Sequence, residues 1–467
     1  MSGLSSEYQL IIIGGGLSGI AAGIRAARFG LKVLILERHT IAGGLNSYYR
    51  RHGFLFETGL HAMTNYAAVG DKRAPLNRLF RQLKIPRKSF QTHEQIGSRI
   101  LFKDYHLNFT NNIEIFRAEI RNVFPECIAR FDQLVATVRD YDPFVVTPWR
   151  STRKILSEIL GHRILEDMLL LPLMVYGNSE EHDMDFSQFV IMFQAVFLEG
   201  FFRPAGTIRD FLNELLQHYK ENGGEIRFRS GVQRIMESGG RIEGVELTNG
   251  EIIKAAMVLS TVGLPGTAKL TGWPDDPEHY RGQMSFMESI GILPVSQRGP
   301  SHLQSTIIFY NLENTFDYCR PSQALDTSWG VICFPENFKG LEVKDHFQIR
   351  VTNPANYEIW KNAGPEEYKN LKEEWRNRSV EVVSGIIGDY DDACICRDAF
   401  TPVTIERYTA KEEGAVYGSP VKIKDGRTPW PNLFVAGTDQ GFLGIIGSML
   451  SGVSMVNQHV LNKESSN

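Results

Sequence analysis

The residues with the plainest chemical meaning lie near the start of the chain. Gly14-Gly15-Gly16-Leu17-Ser18-Gly19 is a G-x-G-x-x-G run. In such a run Gly14 makes a tight turn, Gly16 lets the backbone approach a pyrophosphate, and Gly19 lets a helix pack on the preceding strand. Residues 8–13 are short and isoleucine-rich, as a buried parallel strand should be. Residues 17–29 are alanine-rich and predict a helix whose first turn, Leu17 and Ser18, points its free N–H groups at that phosphate. Gly30 ends the helix, residues 32–36 read as a second strand, and Glu37 at its end is placed to accept hydrogen bonds from ribose hydroxyls, with Arg38 following. Strand, glycine turn, helix and acid in this order specify dinucleotide binding, which the glycines alone would not.

A second constellation lies near the far end. Residues 432–436 read as another short buried strand. Gly437-Thr438-Asp439 follows, then a glycine-rich run over 441–447 and a helix through about residue 461. Ligand contacts concentrate just past such strand ends, which is where Asp439 stands. Backbone N–H groups at Gly444, Ile445 and Ile446, with the helix dipole behind them, would stabilise negative charge arriving on a ligand. The plainer reading is a strand–turn–helix that only packs.

Between these ends the chain resembles a known superfamily. Ile41-Ala42-Gly43-Gly44-Leu45, a second glycine pair just after the acid, resembles the flavoprotein amine oxidases and phytoene desaturases. Glu37-Arg38-His39-Thr40-Ile41-Ala42-Gly43-Gly44 and Thr58-Gly59-Leu60-His61 look most like retinol saturase and the carotenoid isomerases. Arg203-Pro204-Ala205-Gly206-Thr207 is similar to the family's Pro-x-Gly-Gly stretch, with Thr207 replacing the second glycine. Gly231-Val232 resembles the segment whose backbone meets the adenine side of FAD. Residues 401–408 resemble the segment before the last FAD strand. The resemblance implies an FAD cofactor lying against Gly43, Gly44, Leu45, Gly59, Leu60 and His61, contacted by Asp439, with the helix start near 444–447 at the flavin pyrimidine edge. Leu45 stands where the family usually has arginine, and Arg50 and Arg51 are the nearby basic candidates. No cysteine follows Cys396, so the FAD is expected to be bound non-covalently. His61 is the polar candidate for chemistry near the ring, its other reading being a hydrogen bond to backbone.

These motifs need a scaffold. The resemblance implies an α/β protein: a Rossmann-like FAD-binding domain from residues 1–70, 204–275 and 420–467, interleaved with an α+β substrate domain from 71–203 and 276–419. A chain of 467 residues is long enough for two such cores. Within the second part, 112–139 and 155–164 carry apolar residues at helical spacing, and 168–175 and 186–202 are apolar nearly all round. The phenylalanines of 186–202 make either a core or the wall of a tunnel for a long hydrocarbon. Residues 306–310, 329–334 and 347–351 read as strands that would roof the flavin. Residues 208–222 read as a helix, and the turns at Ser238-Gly239-Gly240 and Asn249-Gly250 mark a compact β unit. The expected chemistry is hydride transfer with flavin on an apolar polyene or isoprenoid-like substrate: desaturation, saturation or isomerisation. A flavin amine oxidase and a lipid-binding carrier on the same fold are the alternatives.

Composition closes off other classes. Net charge is −4, which argues against nucleic acid as a partner. Five scattered cysteines argue for a reducing, cytoplasmic setting. Cys394-Ile395-Cys396 has no second cysteine or histidine cluster near it, so no metal is expected. Spanning a membrane takes about 20 apolar residues in a row, and no such run appears. The first apolar run, 10–13, is too short for a signal peptide. Residues 143–173, with Trp149, Arg150, Arg153 and Lys154 before Ile155, Leu156, Ile159 and Leu160, have the composition either of a peripheral membrane contact or of an ordinary amphipathic helix. Nothing in the sequence speaks to oligomeric state.

Overall fold

In the computed structural model, which describes residues 7–88, 90–273, 276–343 and 345–462, the glycine run sits where a parallel sheet hands its chain to a helix. The outer ends of the expected cofactor segments (1–6, 274–275 and 463–467) lie outside the described residues. Strand Tyr8–Ile13 pairs in parallel with Val33–Leu36 on one side and with Ile252–Ser260 on the other. Glu225–Arg227 extends the sheet beyond Val33–Leu36, and Leu433–Val435 pairs in parallel with Ile252–Ser260. Strand Ile252–Ser260 belongs to two structures at once. Its first residues pair antiparallel with Arg241–Leu247, which pairs with Val232–Ser238, and its last run beside Tyr8–Ile13. The strands hidden on both faces are the ones written as unbroken aliphatic runs.

Helix Leu17–Ala27 leaves the glycine turn and packs on helix Gly444–Met455, which closes the chain. Both are rich in small residues, and the contact needs them. A Cβ on Gly452 would lie 2.0 Å from the Ser18 carbonyl oxygen, and one on Gly19 would lie 2.1 Å from that of Gly14. Helix Ile208–Glu221, started by a capping box between Thr207 and Asp210, covers the same face of the sheet.

The second sheet is mixed, in the order Cys396–Phe400, Ser285–Pro294, His346–Ala355, Trp329–Cys333, Ile307–Asn311, Ser98–Leu101, His106–Phe109. Helices Ile113–Val123, Ile128–Asp140, Thr152–Ile159, Arg163–Gly177 and Phe186–Phe193 form a bundle against one of its faces. The last of these helices runs on as a π-helical turn, Gln194–Glu199. Phe109, Phe116, Phe193 and Phe197 pack ring on ring inside this bundle. The aromatic stripe of 186–202 is therefore core, and the tunnel reading of that stretch is set aside. Helix Thr152–Ile159 likewise turns Leu156 into the core with Ile155 and Ile159 packed against it, so it does not present a free apolar face. Among the described residues no helix is long and apolar enough to cross a membrane.

Candidate active site

One cavity of about 610 Å³ runs between the two sheets. At one end its lining includes Glu37, Ile41, Gly44, Leu45 and Tyr408. At the other it includes His61, Tyr176, Phe286, Glu288, Val331 and Tyr417. Gly59, Gly444 and Ile445 lie along it. The two glycine loops meet at its first end. Gly43 N–H donates to the Gly15 carbonyl at 2.9 Å, and a Cβ on Gly44 would lie 3.6 Å from Gly16 Cα. Glu37 accepts from Gly15 N–H at 2.8 Å and from His39 N–H at 2.7 Å, so its carboxylate shapes the turn it was expected to serve.

The residues present fit a phosphate-bearing ligand. Helix Leu17–Ala27 has no side-chain N-cap, so the first N–H groups of the helix are left for another acceptor. A Cβ on Gly16 would meet nothing within 4 Å. Ser18 Oγ, in the same first turn, is buried without a hydrogen-bond partner. Helix Gly444–Met455 also starts without a side-chain cap, and its first residues Gly444 and Ile445 line the cavity.

The other predicted site residues fall as follows. Leu17, Gly19, Leu60 and Ile446 are buried in the scaffold around the cavity. Gly14 turns at φ +105° beneath Thr261. Gly437 N–H donates to Ser451 Oγ at 2.7 Å. Gly231 and Val232 sit beside Glu37 and Arg38: Ser230 N–H donates to the Glu37 carbonyl at 2.9 Å, and a Cβ on Gly231 would lie 3.6 Å from Arg38 Cβ. The Arg38 guanidinium donates to the Arg407 carbonyl at 2.7 Å. Asp439 is buried, and its carboxylate accepts from the backbone N–H of Leu264 at 2.6 Å and of Ser419 at 2.8 Å, while its neighbour Thr438 lines the cavity. Arg51 pairs with Asp398, which also accepts from Tyr49 Oη at 2.7 Å.

His61 has buried partners that sequence reasoning missed. Its Nε2 lies 2.8 Å from Glu288 Oε2, and the other oxygen of Glu288 accepts from Arg350 Nε at 2.5 Å. Burial alone would raise the Glu288 carboxyl, but Arg350 and His61 beside it outweigh that and hold it below the usual carboxylate range. An ionised carboxylate only accepts, so His61 Nε2 carries a proton toward it, and in the neutral ring Nδ1 is the acceptor. Two buried arginines grip the segment leading to His61. Arg350 donates to the carbonyls of Thr58 at 3.1 Å and Leu60 at 3.2 Å. Arg203 also bonds the Leu60 carbonyl and is ion-paired to Glu57. The signal for these groups was faint but present: Glu288 is the lone charge in the largely apolar strand Ser285–Pro294, and Arg350 stands between Ile349 and Val351 in strand His346–Ala355.

Away from the cavity, Cys394 and Cys396 are free thiols, buried in the fold. His182, Asp317 and Cys319 bring three possible ligand atoms within 4.8 Å of one another on the surface.

Comparison with known proteins places the chain among flavoenzymes. Residues 17–295 match the family model described as flavin containing amine oxidoreductase. The chain is 22% identical to an all-trans-retinol 13,14-reductase of Danio rerio, over 99% of this chain and 87% of that one. It is 22% identical to a prolycopene isomerase of Daucus carota, over 95% and 74%. An oxidoreductase from Methanosarcina mazei has the same fold, with a TM-score of 0.68 at 15% identity over 96% of this chain and 100% of that one.

Proposed function

The chain belongs to the flavin containing amine oxidoreductase family, and from that premise we propose that it binds FAD without a covalent link and uses it to desaturate, saturate or isomerise a long apolar polyene or isoprenoid-like molecule. The observation that carries the reading is the continuity of the cavity. It begins at Glu37 and the paired glycine loops and ends at Val175, Tyr176, Phe286 and Val331. Residues 1–70, 204–275 and 420–467 are assigned to the cofactor and the remainder to the substrate. No cysteine is among the described residues that line the cavity, which supports a non-covalent cofactor.

The flavin supplies hydride acceptance or donation at carbon, and the protein supplies position, dryness and a proton site. Arg203 and Arg350 fix the backbone of 58–61, which fixes His61. Glu288 holds the imidazole in one tautomer. Nδ1 is then the site that takes a proton from substrate carbon in desaturation, or returns one in saturation when the ring is doubly protonated. The apolar wall excludes water from both steps.

The test is anaerobic. The FAD-loaded enzyme is mixed with a panel of polyenes and of primary and secondary amines, and the flavin visible band is followed. Reduction by a polyene, or reoxidation of reduced enzyme by one, is expected. Reduction by amines alone would refute the reading. Acid precipitation should leave yellow cofactor in the supernatant.

Such a substrate is delivered from lipid, and the surface offers one place for it. Phe144, Val145, Val146 and Trp149 are 56%, 53%, 78% and 53% exposed in one loop. Lys424 Nζ holds the loop by the carbonyls of Pro143 and Val145, each at 3.1 Å, and Phe144 stacks on Phe442, two residues before Gly444. Arg150 and Lys154 are exposed beside it. We propose that this loop, rather than the helix after it, touches the membrane. Wild type should float with anionic vesicles at low salt, and Val146→Asp with Trp149→Asp should not; equal flotation of the two would sink the idea.

A further inference from the structure

The aromatic wall at the substrate end of the cavity has one hydroxyl too many. Tyr176 is the penultimate residue of helix Arg163–Gly177 and lines the cavity. Its ring is held by Phe201, with centroids 5.0 Å apart, and by Phe309 at 5.6 Å. Its Oη is buried and has no hydrogen-bond partner. The neighbouring tyrosines do have partners. Tyr417 Oη donates to the Val175 carbonyl, Tyr318 Oη to the Asn178 carbonyl at 2.9 Å, and Tyr310 Oη accepts from Asn353 at 2.7 Å.

A buried hydroxyl left unpaired is costly, and phenylalanine in its place would keep the packing without that cost. The hydroxyl is therefore matched by something that enters the cavity. We infer that Tyr176 Oη donates a hydrogen bond to a neutral oxygen, an alcohol or a carbonyl, carried near the buried end of the apolar substrate. The inference rests on the polyene reading above and narrows it: the substrate is an oxygenated polyene rather than a bare hydrocarbon.

Two features favour a neutral oxygen over a carboxylate. The nearby cation, Arg350, is already ion-paired to Glu288. Burial holds the Tyr176 proton firmly, well above the usual phenol range, so the group is a donor at any working pH. A neutral donor in an apolar wall discriminates strongly against an analogue that lacks the acceptor, because its own hydroxyl then stays unpaired.

The experiment compares two ligands on two proteins. FAD-loaded wild type and Tyr176→Phe are titrated with an alcohol-ended polyene and with the same polyene lacking the oxygen, following perturbation of the flavin spectrum. Wild type should bind the alcohol at least roughly tenfold more tightly. Tyr176→Phe should bind both alike, by losing affinity for the alcohol and not for the hydrocarbon. Its ligand-free melting temperature should be no lower than wild type, since no internal bond is lost. Equal binding of both ligands by wild type, or a preference that survives in Tyr176→Phe, overturns the inference while leaving the polyene reading in place. If neither polyene binds wild type, the polyene reading fails and the inference goes with it.

Discussion

Gly16→Val separates holding the cofactor from holding the fold. Gly16 has φ −72° and ψ 174°, extended backbone that valine adopts freely, and a Cβ there meets nothing within 4 Å. The flavin-free protein should therefore lose no more than about 0.5 kcal/mol, the usual effect of a substitution away from packed features. On the proposed FAD reading, the open space is where the pyrophosphate would come close to the N–H groups of helix Leu17–Ala27. A branched side chain there blocks the approach. Losing two hydrogen bonds to a charged group, at about 1.5–3 kcal/mol each, predicts a loss of about 3–6 kcal/mol, or roughly two to four orders of magnitude in Kd. Gly19→Ala is the control with the opposite signature. Its Cβ would lie 2.1 Å from the Gly14 carbonyl oxygen, so the helix must move off the strand and the fold itself should lose about 1–3 kcal/mol. Calorimetry on flavin-free protein reads the fold, and FAD titration by flavin fluorescence reads the site. A Gly16→Val protein that melts early without FAD, or that binds FAD as wild type does, would refute the reasoning.

Three further outcomes are expected. Asp439→Ala should destabilise the protein by about 2–4 kcal/mol in denaturant titration even without FAD, because the N–H groups of Leu264 and Ser419 lose their acceptor; full stability would show that those bonds are idle. Burial pushes Glu199 up to about 7, partly offset by Asn65, so its folded value exceeds the unfolded one of about 4.3. That contribution is fully present below about pH 4.3 and is lost as pH rises through about 7, so Glu199→Gln should flatten the fall in melting temperature between pH 5 and 7.5. Glu288→Gln should cost about 3–5 kcal/mol by stranding the Arg350 cation, and Glu288→Gln with Arg350→Met should recover part of it; a double variant no better than the single would show that the charges do not act as a pair.

The ends of the fold were readable because their signals are local. Gly14 to Glu37 places strand, turn, helix and acid within one stretch of chain, each fixed by the stereochemistry of its neighbours. The Asn249-Gly250 turn announced its hairpin in the same way. What was much harder to read was the company His61 keeps. Glu288 and Arg350 come from strands 227 and more positions away, and only the register of the second sheet brings them under it. Phe193 and Phe197 have the same composition whether they face a ligand or each other, and only the packing of the bundle decided that they are core. Asp439 was read as a ligand contact from its place after a strand; the loops that supply its two N–H partners are 175 and 20 residues away and left no mark beside it.

The pairing of helix Leu17–Ala27 with helix Gly444–Met455, and of strand Ile252–Ser260 with Leu433–Val435, sets an order of events during synthesis. The turn at Gly14–Gly19 is synthesised long before helix Gly444–Met455, which backs it. Gly452 must settle against Ser18 before that turn is rigid. Cofactor loading is therefore expected only after helix Gly444–Met455 has been made. A nascent chain stalled before residue 433 should expose the small-residue face of helix Leu17–Ala27 and depend on chaperones. A stop codon before residue 433 should abolish flavin content as completely as one far upstream, because it removes strand Leu433–Val435 and helix Gly444–Met455, whose Gly444, Ile445 and Ser448 line the cavity.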